Sequence, residues 1–405
     1  MRVCIVTVAA HGIGGMQDHT RDLVRGLAAL GHDVEVITAQ HPDGLLQETK
    51  GGATWWYLPF APKGVRTPRR NPHWLRASYR KFAERHAVRP FDVVHSESTS
   101  AIKLLHKRVH KRVPLVATFH GNAIGLARAS VLRAWRGGFD AKVREAKHLA
   151  WLSMEQFQYG HWWRFRACDW MVVAHQQFEE TRRESFLVRE RGHVVPNGVD
   201  TSVFHPRDRA ATRSELGLES GPLIVGVGRL NSEKSFDLAL RALAALDAEL
   251  GARLVVVGDG EERAALEALA AELGIDERVD FVGSKSTHEV AAYMAAADVF
   301  VFPTQREEAA PMVLPQAMAT GAPVIASSIG GITEVIEESG RYGVLIQPGD
   351  LDALTREIAA LLSDDERRAR LGAAARQRVM EEYTLERMVE RTLEVYEIAA
   401  RRLGR

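Results

Sequence analysis

The chain has 405 residues, 46% of them hydrophobic and 26% charged, with a formal net charge of +1. That length exceeds one ordinary domain and argues for two of about 200 residues each, with a globular composition. No apolar run approaches the ~18 residues of a membrane span, and two cysteines, Cys4 and Cys168, are too few for a disulfide framework or a zinc-ligand set, so a reduced, cytoplasmic protein is expected.

The N-terminal MRVCIVTVAA reads as a strand entered directly, without the long apolar region and small-residue cleavage site of a secretory peptide. A glycine-bearing loop, HGIGGMQDHT, and an amphipathic helix, RDLVRGLAALG, follow. DVEVITA, DVVHSE and PLVATFHG are the next strands, and residues 122–166 form a long helical region rich in Arg and Trp. WMVVAH returns to the sheet, and HVVPNGVD closes the unit with a Pro-Asn-Gly turn. The pattern restarts after Pro206 with the strand LIVGVGRL and a helix over SFDLALRALAALDAELG that stops at Gly251. RLVVVGDG, DFVGS, VFVFPT, PVIAS and GVLIQPG supply further strands, and three amphipathic helices end the chain. Strand–helix alternation of this kind predicts doubly wound parallel sheets, hence two Rossmann-like domains over 1–200 and 201–385.

Charge divides along the same line. Residues 1–200 hold 30 Lys+Arg against 18 Asp+Glu, whereas the remainder holds 23 against 34. All eight tryptophans (Trp55, Trp56, Trp74, Trp135, Trp151, Trp162, Trp163 and Trp170) lie in the first half. The basic stretches 66–82, 103–112 and 131–152 interleave cations with apolar residues, as a peptide lying on an anionic membrane would, burying Trp at the interface. Solvated helix faces and core tryptophans give the same pattern.

Four places carry chemistry. GVGRLNSEK sets Arg229 and Lys234 five residues apart beyond a strand end, where a forked guanidinium and a mobile ammonium suit a diphosphate; a solvated loop would read alike. Gly12, Gly14 and Gly15 would let the backbone approach a ligand, and a tight strand–helix turn reads alike; no Walker Lys-Ser/Thr follows, so ordinary NTP hydrolysis is not expected. His120 ends the strand PLVATFH, a position from which it can hydrogen-bond a ligand near neutral pH. In PTQREEAAPMVLPQAMATGAPVIAS, Glu308 lies in a loop after a strand, where open α/β sheets bind ligands. Gln316 follows on a short helix whose N-terminal amides suit an anion. The triplet at Asp350 and Asp352 opens a helix and reads as a cap rather than a metal site, so no metal is expected.

In this order GIGGMQ, ATFHG, PNGVDTSVFHP, VGRLNSEK, VVGDGEE, AADVFVFPT and the Glu308 segment resemble the retaining glycosyltransferases of family 4, with the GT-B fold, across nearly the whole chain. The resemblance implies two Rossmann-like domains facing a cleft. The donor, a nucleotide sugar, lies on the second domain, the acceptor approaches from the first, and the last helix, about 386–405, packs back on the first domain. It implies that Arg229, Lys234 and Gly15 hold the diphosphate and that Glu308 and His120 contact the transferred sugar at the reacting face. Gln316, Ala310, Met312 and Val313 would line the ribose and sugar, Val282 and Gly283 the base, and Gln17 the acceptor side. Neither a metal nor another cofactor is implied, because Arg, Lys and helix amides neutralise the leaving group. UDP-sugars are favoured as donors and GDP-mannose next; the acceptor is a glycan, lipid-linked or small-molecule hydroxyl. Peripheral contact with an anionic membrane at the inner face of the cell would suit a lipid-linked acceptor, and nucleic acid is not a partner.

Two departures stand out. Gln316 replaces the second acid of the usual Glu–seven residues–Glu pair, so one acceptor and one donor face the ribose in place of a carboxylate. AAPM replaces the usual Gly-Phe-Gly and aliphatic residue, and Pro311 removes a backbone donor. A nucleotide-sugar epimerase and a non-catalytic nucleotide-sugar-binding scaffold are the alternatives.

Overall fold

The computed structural model describes residues 1–8, 14–59, 72–120, 165–184, 187–219 and 221–404, together with Val143, Ala146 and Lys147. The chain divides into two compact units, Met1–Gly198 with Leu385–Arg405, and Val199–Thr384.

The first unit is built on eight strands: β1 Arg2–Val6, β2 Asp33–Thr38, β3 Gln47–Lys50, β4 Ala53–Tyr57, β5 Val93–Glu97, β6 Leu115–Phe119, β7 Asp169–Val172 and β8 Gly192–Val194. Their order is β3-β4-β2-β1-β5-β6-β7-β8. All pairings are parallel except β3 with β4. The central strands read as apolar runs because both faces are covered. On one face Leu23, Val24 and Leu27 of helix α1 (Gly15–Ala29) pack with Val3, Ile5 and Val36, joined by Met388, Val389 and Tyr396 of the helix Leu385–Arg401. The other face buries Trp74, Phe91, Phe165 and Trp170.

The second unit has six strands: β9 Leu223–Val227, β10 Arg253–Val257, β11 Val279–Gly283, β12 Val299–Phe302, β13 Val324–Ser327 and β14 Val344–Ile346. Their order, β11-β10-β9-β12-β13-β14, is fully parallel. Numbered within the unit this is 3-2-1-4-5-6, so the order reverses between β9 and β12, and ligands of such sheets bind beyond the strand ends at that point.

Four expectations change. Helix α1 starts at Gly15 rather than Arg21, which shortens the loop after β1. Residues 236–250 are not one helix: the segment Phe236–Ala245 ends, Leu246 is extended (φ −70°, ψ 149°), and the Asp247 carboxylate accepts from Glu249 N to start a separate 3-10 turn. Asp at that place competes for backbone donors and so breaks the helix. A β3–β4 hairpin, absent from the reading above, turns through Gly51 and Gly52, both with positive φ, as a tight two-residue hairpin loop requires. Finally, three of the four described tryptophans are buried and the fourth, Trp56, is half-buried. Trp74 and Trp170 are fully buried, Trp55 is 4% exposed, and Trp56 donates from Nε1 to Glu35 at 2.7 Å. Trp135, Trp151, Trp162 and Trp163 lie outside the described residues, as does most of 131–152.

Candidate functional site

At the switch point of the second unit two loops are tied together. The loop after β9 carries Arg229 and Lys234. It is clamped from below by the β10 loop: Leu230 N donates to Asp259 O at 3.0 Å and Glu262 N to Leu230 O at 3.0 Å. That close approach demands glycine. A Cβ at Gly258 would meet Gly228 O at 1.9 Å, and one at Gly260 would meet Leu230 O at 2.2 Å, which explains VVGDGEE in physical terms. The loop after β12 is fastened to the same backbone: Gln305 N and Thr304 Oγ1 both donate to Glu233 O, and Arg306 Nη1 reaches Glu233 Oε2 at 2.6 Å.

These ties bring Lys234 against Glu308, with Nζ to Oε1 at 2.7 Å and both side chains 18% exposed. Lys234 Nζ also stands 4.8 Å from the centre of the Phe302 ring. The Glu308 backbone rests on glycine, because Gly331 N donates to Glu308 O at 2.7 Å and a Cβ at Gly330 would lie 2.4 Å from that oxygen. Arg229 is exposed and has no ion pair among the described residues. Lys234 and Glu308 thus meet beyond β9 and β12, with Arg229 on the same β9 loop, an arrangement able to bind a phosphorylated ligand through the cations and its hydroxyls through Glu308.

The remaining expected donor residues lie on or just before the helix that follows the β12 loop, where Gln316 N donates to Met312 O at 3.2 Å, and at the end of β11. Gln316 sits half-buried in the helix Val313–Ala319, and its side chain has no hydrogen-bond partner among the described residues. Met312 is the N-cap of that helix and Val313 its first residue, both half-buried, with Ala310 just before. Val282 and Gly283 end β11, two strands from the switch point; Gly283 has φ 74° and accepts from Gly258 N at 2.9 Å. Asp350 caps the helix Leu351–Leu362 through a bond from Ala353 N at 2.9 Å.

In the first unit the strand order reverses between β1 and β5, and the site residues gather there. Gly15 opens α1 and is exposed; Gln17 is half-buried in its first turn. His120 follows β6, but its Nε2 is turned onto Glu97 Oε2 at 2.5 Å. Glu97, at the end of β5, was not singled out by sequence reasoning. It is fully buried, and its nearest charge partners are three histidines, with His19 Nε2 at 3.7 Å, His95 Nε2 at 3.5 Å and His120 Nε2 at 2.5 Å. His19 Nδ1 pairs with Asn197 Oδ1 at 3.0 Å, and His95 Nδ1 with Tyr396 OH at 2.6 Å.

Burial by itself would raise the Glu97 carboxyl, yet the charge of His120, then that of His19, and the bond from His120 hold it down at about 2. It is therefore a carboxylate at neutral pH, and His120 must donate the Nε2 proton between them. Burial pushes His19 down to about 3 and lowers His95 as well, so both are neutral imidazoles. The sequence signal for this cluster was His95 and Glu97 at i and i+2, two ionisable groups on one face of an otherwise apolar central strand.

Comparison with known proteins agrees with the architecture. Residues 13–203 match the Glycosyltransferase Family 4 profile and residues 208–378 the profile Glycosyl transferases group 1. The MMP alpha-(1->4)-mannosyltransferase of Mycolicibacterium hassiacum is 30% identical over 428 residues, covering 96% of each chain. Among solved structures, the sucrose-phosphate synthase of Thermosynechococcus elongatus superposes with a TM-score of 0.77 at 22% identity, covering 98% of each chain. The Anabaena HepE protein, solved in complex with UDP, gives 0.72 at 18% identity over 98% of this chain and all of its own. With two doubly wound parallel-sheet units and this full-length relative, the chain belongs to the family 4, group 1 glycosyltransferases of the GT-B fold.

Proposed function

We propose that the chain moves a hexose from a nucleoside diphosphate sugar to a hydroxyl of a glycan, glycolipid or small metabolite, with retention of anomeric configuration and without a metal. UDP-hexose is the favoured donor and GDP-mannose the next. The observation that carries this reading is the Lys234–Glu308 contact at the β9/β12 switch point, with Arg229 carried on the same β9 loop. The UDP held by HepE favours the uridine donor, and the mannosyltransferase relative favours mannose as one candidate for the transferred sugar.

Arg229 and Lys234 would stabilise the diphosphate as it departs with the electron pair of the C1–O bond. Glu308 would accept hydrogen bonds from hydroxyls of the transferred sugar. The acceptor oxygen then forms its bond to C1 on the same face, and its proton passes to a phosphate oxygen of the leaving nucleotide. In the structure Lys234 is spent on Glu308, so donor binding has to exchange that ion pair for a phosphate contact. The roles carried to His120, Gly15, Gln17, Gln316, Ala310, Met312, Val313, Val282 and Gly283 by family resemblance belong to the same proposal.

A thermal-shift screen against nucleoside diphosphates and their sugars tests it. Stabilisation by UDP or GDP that is lost in the Arg229→Ala and Lys234→Ala variants supports the reading. Equal stabilisation of wild type and both variants, or none by any nucleotide, sinks it.

A further inference from the structure

We propose that His19, Glu97 and His120 form a binding site for a divalent transition-metal ion of the zinc class. The three come from separate elements: α1, the end of β5 and the residue after β6. One ligand atom of each lies within 4.8 Å of the other two. Two buried side-chain atoms of the cluster have no hydrogen-bond partner among the described residues, namely His19 Nε2 and Glu97 Oε1. They face one another at 3.7 Å, with His19 2% exposed and Glu97 fully buried.

This pairing is unfavourable as it stands. His19 donates from Nδ1 to Asn197 Oδ1, which leaves Nε2 with its lone pair. A lone pair directed at a carboxylate oxygen in the interior is a mutual repulsion unless a cation or a hydrogen-bond donor lies between, because unpaired buried polar atoms are costly. The Asn197 bond is also the orienting contact that metal-bound histidines make through their second nitrogen. Two imidazoles and a carboxylate suit zinc better than magnesium or calcium, which take oxygen ligands.

Ligand atoms about 2 Å from one tetrahedral ion stand about 3.3 Å apart, close to the His19–Glu97 separation. The shorter His120–Glu97 contact has to open, its shared proton leaving to solvent as the ion takes its place. His120 is the ligand with a route outward, at 14% exposure. The inference rests on residues of the first unit alone, and because His120 is also assigned to the transferred sugar, a bound ion would oppose transfer rather than serve it. Filling the site removes His120 Nε2 from any other partner.

The test uses the full chain freed of metal by chelator dialysis, titrated calorimetrically with Zn²⁺ near neutral pH. Co²⁺ is followed in parallel by its visible ligand-field bands. A single tight zinc equivalent is expected, with Co²⁺ bands of four-coordinate intensity and no heat from Mg²⁺. His19→Ala and His120→Ala each abolish the tight equivalent, and Asn197→Ala weakens it about 10–100-fold. Circular dichroism of each variant shows that it remains folded, and Asn197→Ala, which leaves all three ligands in place, covers the case in which His19→Ala does not. No tight zinc equivalent, or one that survives both His19→Ala and His120→Ala, overturns the proposal.

Discussion

Replacing either member of the Lys234–Glu308 pair should separate donor binding from transfer. The pair has 2.7 Å geometry and 18% exposure on each side, between a surface pair and a buried one, so it is worth about 1 kcal/mol. A charge-assisted bond from Lys234 to a diphosphate is worth about 1.5–3 kcal/mol net. Since binding exchanges the first for the second, Lys234→Ala should cost about 0.5–2 kcal/mol, a rise in the UDP dissociation constant of about 2–30-fold. Glu308→Gln has the opposite logic. It frees Lys234 from its carboxylate, so UDP affinity should hold or improve by a few-fold, while transfer falls by about 100-fold or more through loss of the sugar contact. Calorimetry with UDP and GDP, beside initial rates of nucleotide release, reads both quantities. A Glu308→Gln protein that loses UDP affinity as much as Lys234→Ala does would refute the exchange.

Further outcomes follow from the same contacts. Gln316→Ala should raise the donor dissociation constant several-fold, measured by calorimetry, and an unchanged value removes Gln316 from the ribose. Acid should unfold the metal-free first unit through His19 and Glu97. His19 has its folded pKa depressed to about 3, so its stabilisation is whole above about 6.5 and fades as pH falls toward 3; Glu97 adds a loss between about 4.5 and 2. The combined loss is on the order of several kcal/mol, and thermal melts across pH should show a shallower decline in His19→Gln than in wild type. Lys107, Arg108, Lys111 and Arg112 are exposed together in 103–112, so sedimentation with anionic vesicles should occur at low salt and weaken as salt rises. Absence of binding at low salt rules out this membrane contact.

Much of the fold was legible because strands buried on both faces are written as unbroken apolar runs such as VFVF and LVVV, stopped by Gly or Pro. The β3–β4 hairpin was not, since QETK is polar and mostly exposed and gives no alternation to read. Residues 236–250 misled because Ala-rich helical propensity runs straight through Leu246, and only the local bond to Asp247 breaks it. Glu308, Lys234 and Arg229 were found as separate strand-end residues. The Lys234–Glu308 contact across 74 positions is a product of the β9/β12 crossover, which no local spacing encodes. Glu97 escaped for the same reason, as its cluster gathers His19, His95 and His120 from α1, β5 and the end of β6, with Tyr396 behind His95 across 301 positions. The tryptophans suggested a surface role from composition, whereas Trp74 and Trp170 are core residues.

The most direct test of the central claim is the stereochemical course of sugar transfer. Incubating the protein with UDP-α-hexose or GDP-α-mannose and a panel of hydroxyl acceptors, the anomeric proton of the first-formed product is read by NMR alongside nucleotide release. An α-linked product formed in step with free nucleoside diphosphate is the predicted result. A β-linked product, or an epimerised donor sugar that appears without any acceptor, would contradict it.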